Sequence, residues 1–361
     1  MTWRVHWQVL IDGRNVSIGM RPYLISIEIV DKDGSSADTC RLVFDDSRGQ
    51  LLLPRVGARV DVRLQGASAF TGVVDSTPWR LSRGGGRILE VSAKGFDTRS
   101  KVKSGKVQMW HLDDATLDDA LQKASRAAGL SGMVVDPQLG ALKRDYWSPD
   151  GANFLAWGER LARELGATFK IRGDQAVFAK RGAGLAATGA AMPTVQGRCG
   201  VAGNVITAQI DPSKGRARFK SKTVRYFDRP SASFKELSVE IEGAGDAVEA
   251  EALQRWTAAD EGQAQDMANG QKVDAERDAG VGSVQLTLAV GAQAEGSFVL
   301  TGARPGIDGA YRITGVTHRA DRNGGATTDL ALAQPQGDAG KDQRGTSSRA
   351  GSVPVPTPAP R

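Results

Sequence analysis

The 361-residue chain is short of the residues that build covalent or metal-held scaffolds, with 2 cysteines and 3 histidines. Cys40 and Cys199 cannot make a disulfide framework or a Cys-rich zinc site. His6, His111 and His318 lie far apart in sequence, which argues against a His-based metal cluster. No run reaches the ~18 consecutive apolar residues of a membrane span, so no stable membrane anchor is expected. Residues 1–10 carry no apolar stretch or small-residue cleavage site, and no secretory signal is expected there. Aromatics are sparse (10 Phe, 7 Trp, 4 Tyr), whereas glycine is abundant at 44 residues, well above a usual share of about 7%. That balance favours many turns and short elements over long helical bundles.

Signatures of catalysis are missing as well. There is no Gly-x-Ser-x-Gly elbow, no phosphate loop and no His-Glu-x-x-His helix. Gly84-Gly85-Gly86 lacks a following lysine and helix and reads as a hairpin tip. Asp113, Asp114, Asp118 and Asp119 stand at a predicted helix start, where carboxylates complement the helix dipole. Glu159 and Glu164 fall on diverging helical faces and do not form a glycosidase pair. His318 closes a strand-like run and reads as a structural hydrogen-bonding group. No catalytic, cofactor-binding or metal-binding residue is assigned, and a non-enzymatic protein is expected.

What is present is mostly strand patterning. In residues 1–105, Trp3, Val5, Trp7, Val9 and Ile11 alternate with polar or smaller residues, the period of a half-buried strand. Further strands are predicted around 24–30, 40–44, 59–64, 70–75 and 88–93, with turn residues between them, which indicates a barrel or sandwich. Residues 106–182 read as a small α/β module. Thr116-x-x-Asp119 forms a capping box ahead of Leu117, Leu121, Ala124 and Ala128, and Gly129 can end that helix. A second helix is predicted after Ser148-Pro149, with Phe154, Trp157, Leu161 and Leu165 on its apolar face, followed by a hairpin turning at Gly173-Asp174. Residues 183–203 are rich in Gly and Ala and read as a linker. A second β-rich section spans 204–335, interrupted by a polar helix over about 246–278. Residues 336–361, with proline at 354, 356, 358 and 360, read as a flexible extended tail.

The net charge of +6 is unevenly spread. Residues 1–105 hold 16 basic and 11 acidic side chains, whereas 246–335 hold 7 basic and 13 acidic ones. Such asymmetry suits identical subunits meeting head to tail, and equally suits solvated faces of mixed sign. Lys214, Arg216, Arg218, Lys220 and Lys222 recur every second residue, which on a strand aligns five cations on one side. Two readings stand: a basic stripe touching nucleic acid or an acidic neighbouring subunit, or an edge strand whose charges block unwanted pairing.

Several stretches resemble the late control gene D family of contractile-tailed phages, baseplate hub proteins related to the N-terminal hub region of VgrG. Asp38-Thr39-Cys40-Arg41-Leu42-Val43-Phe44-Asp45-Asp46, Leu53-Pro54-Arg55-Val56-Gly57 and Phe70-Thr71-Gly72-Val73-Val74-Asp75 are similar to its first barrel. Asn153-Phe154-Leu155 and residues 161–169 resemble its middle module, and residues 306–318 its closing barrel. The resemblance implies a mainly β fold with an α+β insertion: two tail-tube-like β-barrels flanking the α/β module. It further implies a structural homotrimer adapting a sixfold tail tube to a threefold spike. The implied partners are spike protein, tail tube or tube-initiator protein, the tape-measure protein and other baseplate proteins, with DNA only as cargo. The implied location is the virion tail baseplate, assembled in the bacterial host cytoplasm. Unlike VgrG, the sequence runs into no OB module or repeat-rich needle, so the spike is expected to be a separate polypeptide. The competing classes are a baseplate-associated cell-wall hydrolase, which needs a cleft with a perturbed carboxylate, and a nucleic-acid-binding late regulator, for which no helix-turn-helix is legible.

Overall fold

The computed structural model describes residues 5–34, 37–96, 108–181, 190–212, 219–241, 251–253, 257–277 and 280–341. Positions 214, 216 and 218 of the basic stripe, residues 183–189 of the expected linker and the tail from 342 lie outside them.

The N-terminal section consists of β1 (Trp7–Ile11), β2 (Arg14–Asn15), the short helix α1 (Ser17–Met20), β3 (Leu24–Lys32), β4 (Thr39–Asp45), β5 (Arg59–Leu64), β6 (Ala67–Ser76), β7 (Trp79–Ser82) and β8 (Gly86–Lys94). Period-two alternation turns one side of these strands inward, and Val9, Ile29, Leu42, Val62, Phe70 and Val91 meet in one buried cluster. Six strands therefore curl around a shared apolar core.

The module that follows contains β9 (Leu112–Thr116), α2 (Leu117–Ala127), β10 (Gly132–Val135), α3 (Pro137–Gly140), β11 (Lys143–Trp147), α4 (Phe154–Glu164), β12 (Ala167–Arg172) and β13 (Gln175–Lys180). The capping box is formed: Thr116 Oγ1 accepts from the Asp119 amide, and Asp119 Oδ2 accepts from the Thr116 amide, both at 3.2 Å. Helix α4 begins later than Ser148-Pro149 suggested. Its cap is Asn153, whose Oδ1 accepts from the Ala156 amide at 2.8 Å, while Asp150 and Gly151 adopt positive φ and turn the chain just before it. Helices α2 and α4 cover the β10-β13-β12 sheet, burying Leu121, Phe154, Trp157, Phe169 and Phe178.

The rest comprises β14 (Val195–Arg198), β15 (Val205–Asp211), β16 (Ser221–Asp228), β17 (Ser233–Glu240), β18 (Glu251–Leu253), α5 (Glu261–Arg277), β19 (Val281–Thr287), β20 (Ser297–Thr301), β21 (Gly309–Asp321) and β22 (Gly325–Gln336). Three expectations need correction. Within the 183–203 stretch, residues 195–198 are a strand, because β14 pairs in parallel with β20. A Cβ on Gly197 would lie 2.3 Å from the Phe298 ring, so only glycine lets these strands close up. The helix expected over 246–278 occupies Glu261–Arg277, started by Asp260 Oδ1 accepting from the Gln263 amide at 2.8 Å, and residues 251–253 form β18. Finally, 204–335 is not one β-section. Strands β16–β18 form their own sheet and pack on α5 around Val224, Tyr226, Ala258, Ala264 and Ala268. Strands β14, β15 and β19–β22 build a separate core on Phe298, Leu300, Tyr311, Ile313 and Leu330.

The two larger β-sections are joined edge to edge. β21 pairs first with β20 and then, from Gly315↔Lys32 to Asp321↔Ser26, with β3. One sheet thus runs β15-β19-β22-β21-β3-β4-β8-β6-β5-β1-β2, with β7, β14 and β20 as branches. It is mainly β, as expected, but no closed barrel is found among the described residues; the sections expected as separate barrels share one open sheet.

Helix α5 also meets the α/β module at a close approach. A Cβ on Gly270 would fall 2.7 Å from the Glu164 carbonyl oxygen and 2.9 Å from the Gly166 nitrogen, both backbone atoms that cannot rotate away. Gly270→Ala should therefore push α5 off α4 and lower stability by about 1–3 kcal/mol despite alanine's better helix propensity. Urea unfolding of the variant checks this; a stabilised variant contradicts the packing.

Candidate functional site

Of the basic stripe, the structure places Lys220 exposed just before β16 and Lys222 on β16, half-buried, with its Nζ 4.5 Å from the centre of the Phe219 ring. The other three cations lie outside the described residues. Among the described residues no cluster of His, Cys, Asp and Glu has metal-site geometry. His111 stacks on Tyr146, and Glu164 pairs with Arg144 at 2.8 Å, away from any partnership with Glu159.

The strongest concentration of chemistry is a buried charged junction where all the units meet. Asp31 on β3 and Asp38 just before β4 are 6% and 5% exposed and face Lys170 and Arg172 on β12. Lys170 Nζ pairs with Asp31 and lies 2.9 Å from Asp38 Oδ1; Arg172 Nε donates to Asp38 Oδ2 at 2.7 Å. Burial alone would raise the Asp31 pKa, but the adjacent Lys170 ammonium and Arg172 outweigh it and hold the carboxyl below its ordinary value. The other Asp31 oxygen accepts from the Ala294 amide at 2.9 Å, bringing in the loop before β20.

Glu295, the next residue on that loop, carries the network onward. It accepts from Thr168 of β12 at 3.1 Å and from Arg277 of α5 at 3.0 Å, and pairs with Arg312 of β21. Arg277 also pairs with Asp33, and Arg181 with Asp274. Burial, reinforced by Arg277 and Arg181, pulls the Arg312 guanidinium down to about 9, so it stays charged at neutral pH opposite Glu295. Sequence reading missed this site. Lys170 and Arg172 alternate with the apolar Phe169 and Ile171, which looks like an ordinary solvated face; their carboxylate partners sit more than 130 residues away. Removing one member strands a buried charge, so Lys170→Met should cost about 3–5 kcal/mol in urea unfolding of the full chain, whereas Arg55→Met, from an exposed pair, should cost under ~1.

His318 sits beside the junction on the core side of β21. It is 4% exposed, and its Nδ1 lies 3.0 Å from Thr328 Oγ1. Burial pushes its pKa from the ordinary 6.5 down to about 4, against the opposing pull of the Ala292 backbone and Asp31. The folded state thus favours the neutral ring. The stability this represents is full above about pH 6.5 and is lost as pH falls towards 4, to a total of about 3 kcal/mol. His318→Gln should flatten that part of the pH–stability curve; an unchanged slope between pH 6.5 and 4 contradicts the assignment.

The opposite face of the sheet carries an alternating ladder of charge across the joint between the β-sections. Gln285 donates to Asp329 at 2.8 Å, and Arg319 bridges Asp329 at 2.7 Å and Glu28 at 3.0 Å. Glu28 stands opposite Arg41 in register, and Arg41 and Arg80 both reach Glu90 at 2.6 Å. Each exposed pair contributes little stability; together they make a wall without a patch of one sign. Against the first core lies a mostly apolar cavity of about 710 Å³, lined by residues of β1, β4, β5, β8, α1 and the 50–54 loop.

This architecture defines a class. The fold matches a tail protein of Neisseria meningitidis MC58 with a TM-score of 0.68, at 16% identity, covering 91% of this chain and 96% of that one. It also matches the Escherichia coli c3393 protein, a type VI secretion component described as similar to the T4 tail proteins gp27 and gp5, with a TM-score of 0.54 at 13% identity, covering 91% and 77%. The chain has the β-rich fold of phage tail and type VI secretion proteins. In sequence it is 28% identical over 196 residues to the probable baseplate hub protein of Escherichia phage 186, covering 52% of this chain and 48% of that protein. The chain spans about half the length of the curated relatives it matches. No protein-family model matches it. The sequence likeness is thus to phage baseplate hub proteins, and the fold likeness is to phage tail and type VI secretion proteins.

Proposed function

We propose that this protein is the structural hub of a contractile-tail baseplate, a trimeric ring that adapts a sixfold tail tube to a threefold spike. One observation carries the reading: two β-sections, each with its own core, are joined into one sheet within a chain similar to phage hub proteins. Three copies then supply six β-sections, the two tube-like units per subunit that such an adaptor requires. On this reading 1–105 is the first tube-like unit, 204–335 supplies the second, and 106–182 is a peripheral module. The role is mechanical and non-enzymatic, exercised in the virion tail baseplate after assembly in the host cytoplasm. Its partners are the spike, the tube or tube-initiator protein, the tape-measure protein and other baseplate proteins, and DNA passes only as cargo.

The basic stripe Lys214, Arg216, Arg218, Lys220 and Lys222 is proposed as a contact for a neighbouring acidic surface. Reversing Lys220 and Lys222 to glutamate should weaken assembly and leave DNA binding unchanged; normal assembly removes the stripe from the interface. For the hub itself, light-scattering mass and projection images of the purified chain, with and without its spike, should give three copies in a ring of near-sixfold outline. A monomer under every condition overturns the reading.

A further inference from the structure

The cavity against the first core has a cationic rim. Leu42, Phe44, Leu89 and Val91 of β4 and β8 line it, and Leu52 in its wall is 93% exposed. Four exposed arginines surround it. Arg14 is part of the lining, Arg21 directly follows α1, and Arg48 lies in the turn before Gln50. Arg87 reaches the same turn, its Nη1 3.8 Å from where a Cβ on Gly49 would lie. None of these four side chains has an ion pair or hydrogen bond among the described residues. The nearby carboxylates are already engaged. Asp12 accepts from the Arg59 amide at 2.9 Å, Asp45 from the Ser47 amide at 3.0 Å, and Asp46 from the Trp79 indole at 3.1 Å. Apolar surface exposed around a concave site marks an interaction surface, and here it is left with uncompensated positive charge.

The α/β module carries the complement. On the two-stranded β9–β11 sheet, Tyr146 is 56% exposed with His111 stacked on it, and Met109, two residues before His111, is 78% exposed. Aspartates flank this patch. The register that pairs Arg144 with Ala115 and Tyr146 with Asp113 puts Asp145 opposite Asp114. Like charges directly opposite each other on paired strands are destabilising. Neither carboxylate has an ion pair or side-chain hydrogen bond among the described residues, and Asp113 faces the exposed His111 at 3.9 Å. One surface thus holds unmatched arginines and the other unmatched aspartates, each around exposed apolar side chains.

We infer that these surfaces meet between neighbouring copies: the Met109–Tyr146 patch of one subunit seats in the arginine-rimmed cavity of the next. This rests on the ring-forming reading above and names the contact that closes the ring. Charge complementarity selects the occupant, since Asp113, Asp114 and Asp145 supply the carboxylates that Arg14, Arg21, Arg48 and Arg87 lack. The residue types agree, because Tyr, Met and Arg are enriched at interface cores. Another exposed apolar pair, Phe227 and Phe234, offers no such match. The charges around it are already paired, Arg225 with Glu236 at 2.8 Å and Lys235 with Asp228 at 2.7 Å. Position also fits. The cavity lies at the Leu24↔Phe44 end of the β3–β4 pair, whereas Asp31 and Asp38 anchor the module at the Val30↔Thr39 end. Two different patches so separated make a heterologous contact, the kind that closes into a ring.

The test uses the full chain. Arg48→Glu with Arg87→Glu should convert the three-copy mass to a single copy at the same protein concentration, and so should Asp113→Lys with Asp145→Lys. All four substitutions in one chain should restore three copies, a rescue that damaged folding does not give. Phe234→Asp, on another exposed strand, should leave the mass unchanged. A cooperative thermal transition and an unaltered circular dichroism spectrum exclude misfolding of the single-copy variants. A photo-crosslinking residue, p-benzoylphenylalanine in place of Tyr146, should join to residues 11–23 or 48–54 of a neighbouring copy. If the paired reversals leave three copies, the fourfold variant stays single, or the cross-links land elsewhere, this interface is wrong and the hub reading stands. A wild-type chain that never associates overturns both.

Discussion

Everything else in this molecule is arranged around two buried carboxylates, Asp31 and Asp38, held between Lys170 and Arg172. Burying four charges is costly, and replacement by well-packed apolar side chains often loses no stability. What the cluster adds is selectivity of geometry. An apolar interface between the first β-section and the α/β module tolerates sliding, but ammonium and guanidinium groups aimed at two particular oxygens each do not. With Glu295 accepting from β12 and α5 and pairing with β21, the same network fixes the second section and the helical arm as well. Four units that each have their own apolar core are thereby set in one relative arrangement.

The sheet supplies continuity where the junction supplies position. β21 is 13 residues long and belongs to both β-sections, pairing β22 along one edge and β20 then β3 along the other. A load applied to one section reaches the other through seven registered residue pairs in shear and does not depend on a single flexible linker. On the solvent side of the same joint, Glu28, Arg319 and Asp329 cross-link β3, β21 and β22. Buried charge on one face and paired charge on the other both lie over this seam, beside Ala320 of β21, which is buried in the core of the first section.

Local chemistry was legible in the sequence and long-range chemistry was not. The alternation of Trp7, Val9 and Ile11 and the Thr116–Asp119 capping box are set by neighbours a few residues away, and they were read directly. The polar helix starts later than its composition suggests, because the 246–260 stretch offers no apolar period to mark the start; Asp260 does that by capping, a weak signal among many acidic residues. Strand β14 was hidden in a Gly/Ala-rich stretch, since glycine there serves close approach to Phe298 and not flexibility. The junction was invisible for a different reason. Asp31 and Lys170 each look like ordinary surface charges until the fold brings them together across 139 residues.

Glycine, first noted as an excess of turns, has two physical roles in the folded chain. At Gly13, Gly49, Gly129 and Gly173, positive φ lets the chain reverse between short elements. At Gly197 and Gly270 the backbone is unremarkable in φ, yet the space a side chain needs is already filled by Phe298 or by the backbone of residues 164–166. The second role matters more for how closely the packed elements approach. Close backbone approach holds α5 against the α/β module at Gly270, with ion pairs such as Arg144–Asp266 beside it, and holds β14 against the Phe298 ring of its paired strand β20 at Gly197. A substitution at Gly270 acts on the spacing of two units, which is why a single methyl group on α5 bears on how that helix sits against the α/β module.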